Sequence, residues 1–236
     1  MAVHRPNIGG GLLAYNAGSV TNSYWDIEKS GQATSKGGTG RTTAQMKEAA
    51  NYSAWDTDNI WYLNGGQSAP LLRSFLKPTT VTADTSGITD KTYDGTAVSG
   101  SVSSYTTNVT GAVLSGSLGY TTNSKNAGSY STADGSLKFT GLYSDQQGYD
   151  ISYAPASATL TIGKAALTVT GMTANNKTYD GDTVATLSGG SLSGVIGSEA
   201  VTLGSSTGTF ADKNVGTGKA VTASGITLDG TDAGNY

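Results

Sequence analysis

The five residues Lys91-Thr92-Tyr93-Asp94-Gly95 return as Lys177-Thr178-Tyr179-Asp180-Gly181, 86 residues later. That period is too long for one rung of a solenoid and close to the size of a small all-β domain. Two further landmarks keep step with it. Lys125-Asn126-Ala127-Gly128 answers Lys213-Asn214-Val215-Gly216, and Gly148-Tyr149 answers Asn235-Tyr236. A chain of 236 residues built this way is a string of modules, each holding its own small core.

Strands are the expected element. With 34 Gly, 4 Pro and 13% charged residues, the chain is polar without being highly charged, and Val, Leu, Ile and Tyr recur between turn residues. Ala158, Leu160 and Ile162 alternate with Thr159 and Thr161, and the pattern resumes with Leu167 and Val169 against Thr168 and Thr170. Only Gly163-Lys164-Ala165 separates the two runs, so the joint between modules is expected to be stiff. The first copy runs 13 residues past Tyr149 to Ile162, whereas the second stops at Tyr236. The second module is therefore expected to lack its closing strand and to leave an open edge near Leu167 to Thr173. Lower order is expected toward the C-terminus, and the natural chain is expected to run on.

Ahead of the repeats, the stretch from Ile8 to Trp25 reads as short strands joined by tight corners. Asn16 and Gly18 suit positive φ there, and Asn22 suits a hydrogen bond to its own backbone. The Gly/Ser/Lys segment after Trp25 reads as flexible. Thr42 and Gln45 have capping-box spacing before good helix formers, which predicts a short helix over 43–50. Trp55, Trp61, the Asn64-Gly65-Gly66 turn and Pro70-Leu71-Leu72-Arg73 follow, and Lys77-Pro78-Thr79-Thr80 marks a domain junction. A stacked β structure must cover its last edge, and a helix with large aromatics does so. Trp25, Trp55 and Trp61 are read first as the core of such a cap, and second as sugar-stacking residues.

These residues carry two resemblances. Gly11-Leu12, Tyr15-Asn16, Gly18, Val20 and Asn22-Ser23-Tyr24 resemble the GLUG-type repeat of large bacterial surface proteins, with Ala14 where that family generally has Gly. The ordered landmarks from Ser23-Tyr24-Trp25-Asp26 to Pro70–Arg73 resemble the ending of GLUG-bearing regions in filamentous haemagglutinin-like adhesins. The two Lys-Thr-Tyr-Asp-Gly copies resemble the tandem YDG-type repeat of bacterial adhesins. The second copy is the closer, through Asn175-Asn176-Lys177, Ala211-Asp212-Lys213-Asn214-Val215-Gly216 and Ala233-Gly234-Asn235-Tyr236. The first has Thr89-Asp90 before its lysine and Ser124 in place of Asp212. The resemblance implies an all-β fold in three parts. Residues 1–77 form a terminal β-helix rung with a small helical and aromatic cap. Residues 78–163 form an immunoglobulin-like β-sandwich module, and residues 164–236 a second, truncated one.

No constellation points to catalysis. His4 is the sole histidine and has no partner carboxylate, Gly37-Gly38-Thr39-Gly40 lacks the Lys-Ser/Thr of a phosphate loop, and no carboxylate pair stands out as a glycosidase dyad. No cofactor is implied. The Asp94-Gly95 and Asp180-Gly181 pairs could serve a calcium site, but without a dense acidic ladder they read first as turns, with Tyr93 and Tyr179 packing inward and bonded to backbone. A self-formed Lys–Asn crosslink is the other sharp reading of Lys91 with Asn126 and Lys177 with Asn214; it needs a buried, neutral lysine. The net charge of −3 disfavours nucleic acid, and the absence of cysteine removes disulfides and thiolate sites. No run of about 18 apolar residues implies membrane insertion.

The resemblance implies a non-enzymatic stalk of a secreted or surface adhesin from a Gram-negative bacterium. It would be exported by an outer-membrane partner in two-partner secretion and serve attachment or biofilm formation. Host-cell or matrix glycans or proteins would be reached through the parent adhesin. The competing expectation is a glycan-binding module that uses Trp25, Trp55 and Trp61 or a sheet face.

Overall fold

The computed structural model describes residues 10–64, 66–144, 148–154 and 157–236. His4, the stretch's start at Ile8 and Gly65 of the Asn64–Gly66 turn lie outside the described residues. The fold is all-β. Among the described residues helix is limited to one α-helical turn, Ile27–Ser30, and the 3-10 turns Gln45–Lys47, Ala49–Tyr52, Arg73–Phe75 and Ala233–Asn235. Two compact units divide the chain. One comprises Met1–Gly87, Gly100–Tyr120 and Phe139–Ala156; the other comprises Ile88–Ser99, Thr121–Lys138 and Ser157–Tyr236.

In the first unit, strand Tyr24–Asp26 pairs in parallel with Thr39–Arg41. Between them lies the α-helical turn Ile27–Ser30, capped at both ends. Asp26 accepts from the amides of Glu28 and Lys29 at 3.0 and 2.9 Å, and Gly31 ends the turn at φ 65°. The two corner asparagines exchange their expected roles. Asn16 makes the side-chain turn, accepting from Gly18 N–H at 3.0 Å, while Asn22 takes the positive φ of 49°. The indole N–H of Trp55 donates to the Asn22 carbonyl at 2.7 Å and pins that corner.

The capping box forms: Gln45 N–H donates to Thr42 Oγ1 at 3.1 Å and Thr42 N–H to Gln45 Oε1 at 3.0 Å. The helix expected over 43–50 is nevertheless two 3-10 turns, split at Glu48, whose backbone is extended at φ −81° and ψ 117°. What breaks it is packing, since Tyr52 turns inward to 1% exposure and its hydroxyl donates to the Met46 carbonyl at 2.7 Å. Tyr24 meets Tyr52 edge-on at 5.4 Å, and Tyr52, Trp55 and Trp61 follow at 4.8 and 4.2 Å between ring centres. Arg73 ties this cluster to the sheet through a two-pronged pair with Asp150 and a bond to the Thr57 carbonyl.

The opening strand of the first repeat, Lys77–Ala83, has neighbours on both sides: Tyr149–Tyr153 in parallel and Tyr105–Thr107 antiparallel. Its inward residues Thr79 and Val81 are each 1% exposed. In the second unit, strand Thr159–Gly163 lies between Gly128–Ser131 and Lys91–Thr92. The period-2 pattern read from this strand is realised, with Leu160 and Ile162 at 1% exposure against the solvent-facing threonines.

The second repeat shares part of this pairing, on a thinner core. Strand Thr168–Ala174 pairs antiparallel with Leu187–Ser193, and Thr207–Phe210 lies between Val184–Ala185 and Val221–Ser224. Among the described residues of 164–236, the buried apolar side chains are Ala185 and Tyr236, while Val184 is 66% exposed. Among the described residues Thr168–Ala174 pairs on one side only, where its counterpart Lys77–Ala83 pairs on two. Toward the C-terminus the chain is packed rather than loose, with Asn235 and Tyr236 at 5% and 9% exposure.

This contrast sets an expected outcome for urea denaturation. Leu160→Ala should cost about 2–5 kcal/mol, because it empties a filled site. Val184→Ala should change stability by no more than about 0.5 kcal/mol.

Candidate functional site

The repeated loop closes in the same way in both copies, because the bonds that close it are local. Asp94 Oδ1 accepts from Thr96 N–H at 2.9 Å, Gly95 takes φ 81°, and Lys91 Nζ closes the loop on Asp94 Oδ1 at 2.7 Å and Thr96 O at 2.8 Å. In the second copy Asp180 Oδ1 accepts from Asp182 N–H at 3.2 Å, Gly181 takes φ 85°, and Lys177 Nζ donates to Asp180 Oδ2 at 2.9 Å and to Asp182. Lys91 and then Thr96 hold the Asp94 carboxyl far below its usual range, and Lys177 lowers that of Asp180. Asp180 and then Asp182 push the Lys177 ammonium up. Both lysines thus donate within their own loops, Lys91 to Asp94 and Thr96 and Lys177 to Asp180 and Asp182.

The asparagine turns are closed by other groups. Tyr130 Oη donates to the Asn126 carbonyl at 2.5 Å, and Lys219 Nζ donates to the Asn214 carbonyl at 2.5 Å. Among the described residues no three His, Cys, Asp or Glu side chains converge as a metal cage needs.

The two tyrosines of the motif part company. Tyr93 is 2% exposed, as an inward-packing tyrosine should be, but its hydroxyl donates to the Glu199 carboxylate and not to backbone. Tyr179 is 60% exposed, which corrects the expectation that it packs inward. The reason lies in what faces each loop. Tyr93 lies edge-on to Tyr236 with 5.7 Å between ring centres. Tyr236 Oη also donates to Glu199, at 2.6 Å, and accepts from Ile196 N–H at 2.9 Å. Lys125 Nζ approaches the same carboxylate at 3.2 Å, and Ala127 N–H donates to Asn235 Oδ1 at 2.9 Å. A Cβ added at Gly95 would come within 3.2 Å of Ile196, whereas one at Gly181 would meet nothing within 4 Å. First-repeat residues are thus clasped by second-repeat residues, and the second-repeat copies face solvent.

Glu199 is the centre of the clasp, with an 11% exposed side chain. Donation from Tyr236 and Tyr93 lowers its pKa, and burial followed by the Glu199 contact raises that of each tyrosine. The sequence marks Tyr93, Lys125 and Tyr236 as landmarks, but Glu199 lies outside every repeated motif. Its only signal is an acid in an otherwise uncharged stretch from Asp182 to Asp212.

The three tryptophans stay together in the first unit. Trp25 is 9% exposed and its indole N–H donates to the Gln32 carbonyl at 3.0 Å; Trp55 and Trp61 are half-buried, each against the other. No helix among the described residues is long and apolar enough to cross a membrane.

A carboxylate with a depressed pKa contributes stability above its unfolded-state value, and that contribution disappears as pH falls through the folded-state value. A pH titration of stability should therefore show an acid limb below about pH 4.5 in the native chain. In Glu199→Gln that limb should be reduced, and stability at neutral pH should be lower.

Residues 163–236 match the YDG domain, so this part of the chain carries a YDG-type repeat. No curated protein matches the chain. No solved structure matches it either.

Proposed function

We propose that this chain is a stalk or spacer portion of a large secreted bacterial adhesin, without enzymatic activity, that supports cell attachment or biofilm formation. The observation that carries the reading is the joint. One repeat's loop residues, Tyr93 and Lys125, are held by the next repeat's Glu199, Asn235 and Tyr236. A spacer needs contacts between successive repeats and no reactive group. The finer architecture belongs to the same proposal. The parallel pair of Tyr24–Asp26 with Thr39–Arg41, covered by the Tyr24, Tyr52, Trp55 and Trp61 cluster, supports a terminal β-helix rung and its cap. The ladders of 78–163 and 164–236 support two immunoglobulin-like sandwich modules. Export through an outer-membrane partner to the surface of a Gram-negative cell completes the proposal, with host or matrix glycans or proteins met by the parent adhesin.

The tryptophan arrangement favours packing over recognition, since the rings cover one another and two of the indole N–H groups donate to protein carbonyls. A stalk should give no saturable change in tryptophan fluorescence when titrated with a panel of oligosaccharides. A saturable change removed by Trp61→Ala would replace the stalk with a glycan-binding module.

A further inference from the structure

The two repeats differ in how their opening strands and motif strands are covered, and the difference has a definite shape. In the first repeat, Lys77 N–H donates to the Gly148 carbonyl at 2.9 Å and starts a parallel ladder. That ladder continues as Tyr149–Tyr153 alongside Lys77–Val81. The chain then returns as Thr159–Gly163, in register with Lys91–Thr92 of the motif and with Gly128–Ser131. In the second repeat the first rung is present at the matching place, with Ala165 N–H donating to the Asn235 carbonyl at 2.9 Å. Beyond that rung, Thr168–Ala174 is paired, among the described residues, only with Leu187–Ser193. The place that corresponds to strand Thr159–Gly163 is an open cleft of ≈ 560 Å³, bordered by Lys177, Tyr179, Phe210 and the segment from Asn214 to Lys219.

From this correspondence we infer that the second repeat is an acceptor for one extended segment with apolar residues at alternate positions. A copy of residues 150–163 attached at Tyr236 has the length and register to be such a segment. Its first part adds in parallel to the edge at 166–170, continuing the rung that Ala165 and Asn235 begin. Its second part enters the cleft beside Lys177–Thr178 and buries two aliphatic side chains, as Leu160 and Ile162 are buried in the first repeat. Backbone pairing supplies the attraction and alternate side chains the selectivity, which is the physics of strand addition to an exposed sheet edge. The wall from Asn214 to Lys219 is shorter than its counterpart. The hairpin closes from Ala211 N–H to the Ala220 carbonyl, where the first repeat closes from Asn123 N–H to the Ser136 carbonyl. The motif strand and the opening edge therefore carry most of the new pairing. The inference concerns how this repeat is completed and holds whatever the run of repeats supports.

The test is to extend the full chain after Tyr236 with a copy of residues 150–163 and to measure amide hydrogen exchange. A second extension carries Ile151→Asp, Leu160→Asp and Ile162→Asp in the copied segment only. The native copy should slow exchange at 166–170 and 177–178 by at least about tenfold, and the aspartate copy should not. Exchange on the ladder between Thr202–Leu203 and Leu228–Asp229 verifies in each case that the second repeat is folded. With that ladder protected, unchanged exchange at 166–170 and 177–178 in the native extension overturns the inference. Equal slowing by the aspartate copy overturns it as well.

Discussion

A buried tyrosine hydroxyl must find a partner, and in this chain two of them find the same one. Glu199 accepts from Tyr93 and Tyr236 and is approached by Lys125, so a single ionised carboxylate satisfies two phenols and balances an ammonium. Charge-assisted bonds of this kind are stronger than neutral ones, and they are directional, which fixes the angle of the contact as well as its existence. The aromatic contact between Tyr93 and Tyr236 and the Ala127–Asn235 bond then follow from where Glu199 puts the two segments. A small polar core can be sufficient under these conditions because its few buried groups are well paired.

The first repeat and the second make a natural comparison of the same loop with and without a neighbour. The Lys-Asp closure and the positive φ of the glycine are alike in both, so they belong to the loop. The burial of the tyrosine differs, so it belongs to the surroundings. Local bonds repeat because local sequence repeats. Burial follows contacts that reach across about a hundred residues.

The same division explains what could be read from the amino acids. Alternation in Ala158–Ile162 identified a half-buried strand, the Thr42–Gln45 spacing identified a real capping box, and the repeated motif identified a turn. Each of these is encoded within a few residues. The helix over 43–50 did not survive, because Tyr52 gains more by turning into the aromatic cluster than by extending a helix. Asn16 and Asn22 exchanged roles because the Trp55 indole, 33 residues on, selects which corner is pinned. Glu199 was not legible, since no repeat carries it and its partners lie far away in sequence. Tyr179 was misread because a motif shared between two copies says nothing about what each copy faces.

The Lys-Asp loop closes within a handful of residues and needs nothing from outside itself. Closing so short a stretch costs little chain entropy, so each loop is available as an early-forming corner while the rest of its repeat is still unstructured. In a chain of serial repeats such corners would form independently of one another. Each would commit its own strand direction before the longer-range pairings are made, so neighbouring copies of nearly identical sequence would have less opportunity to exchange strands.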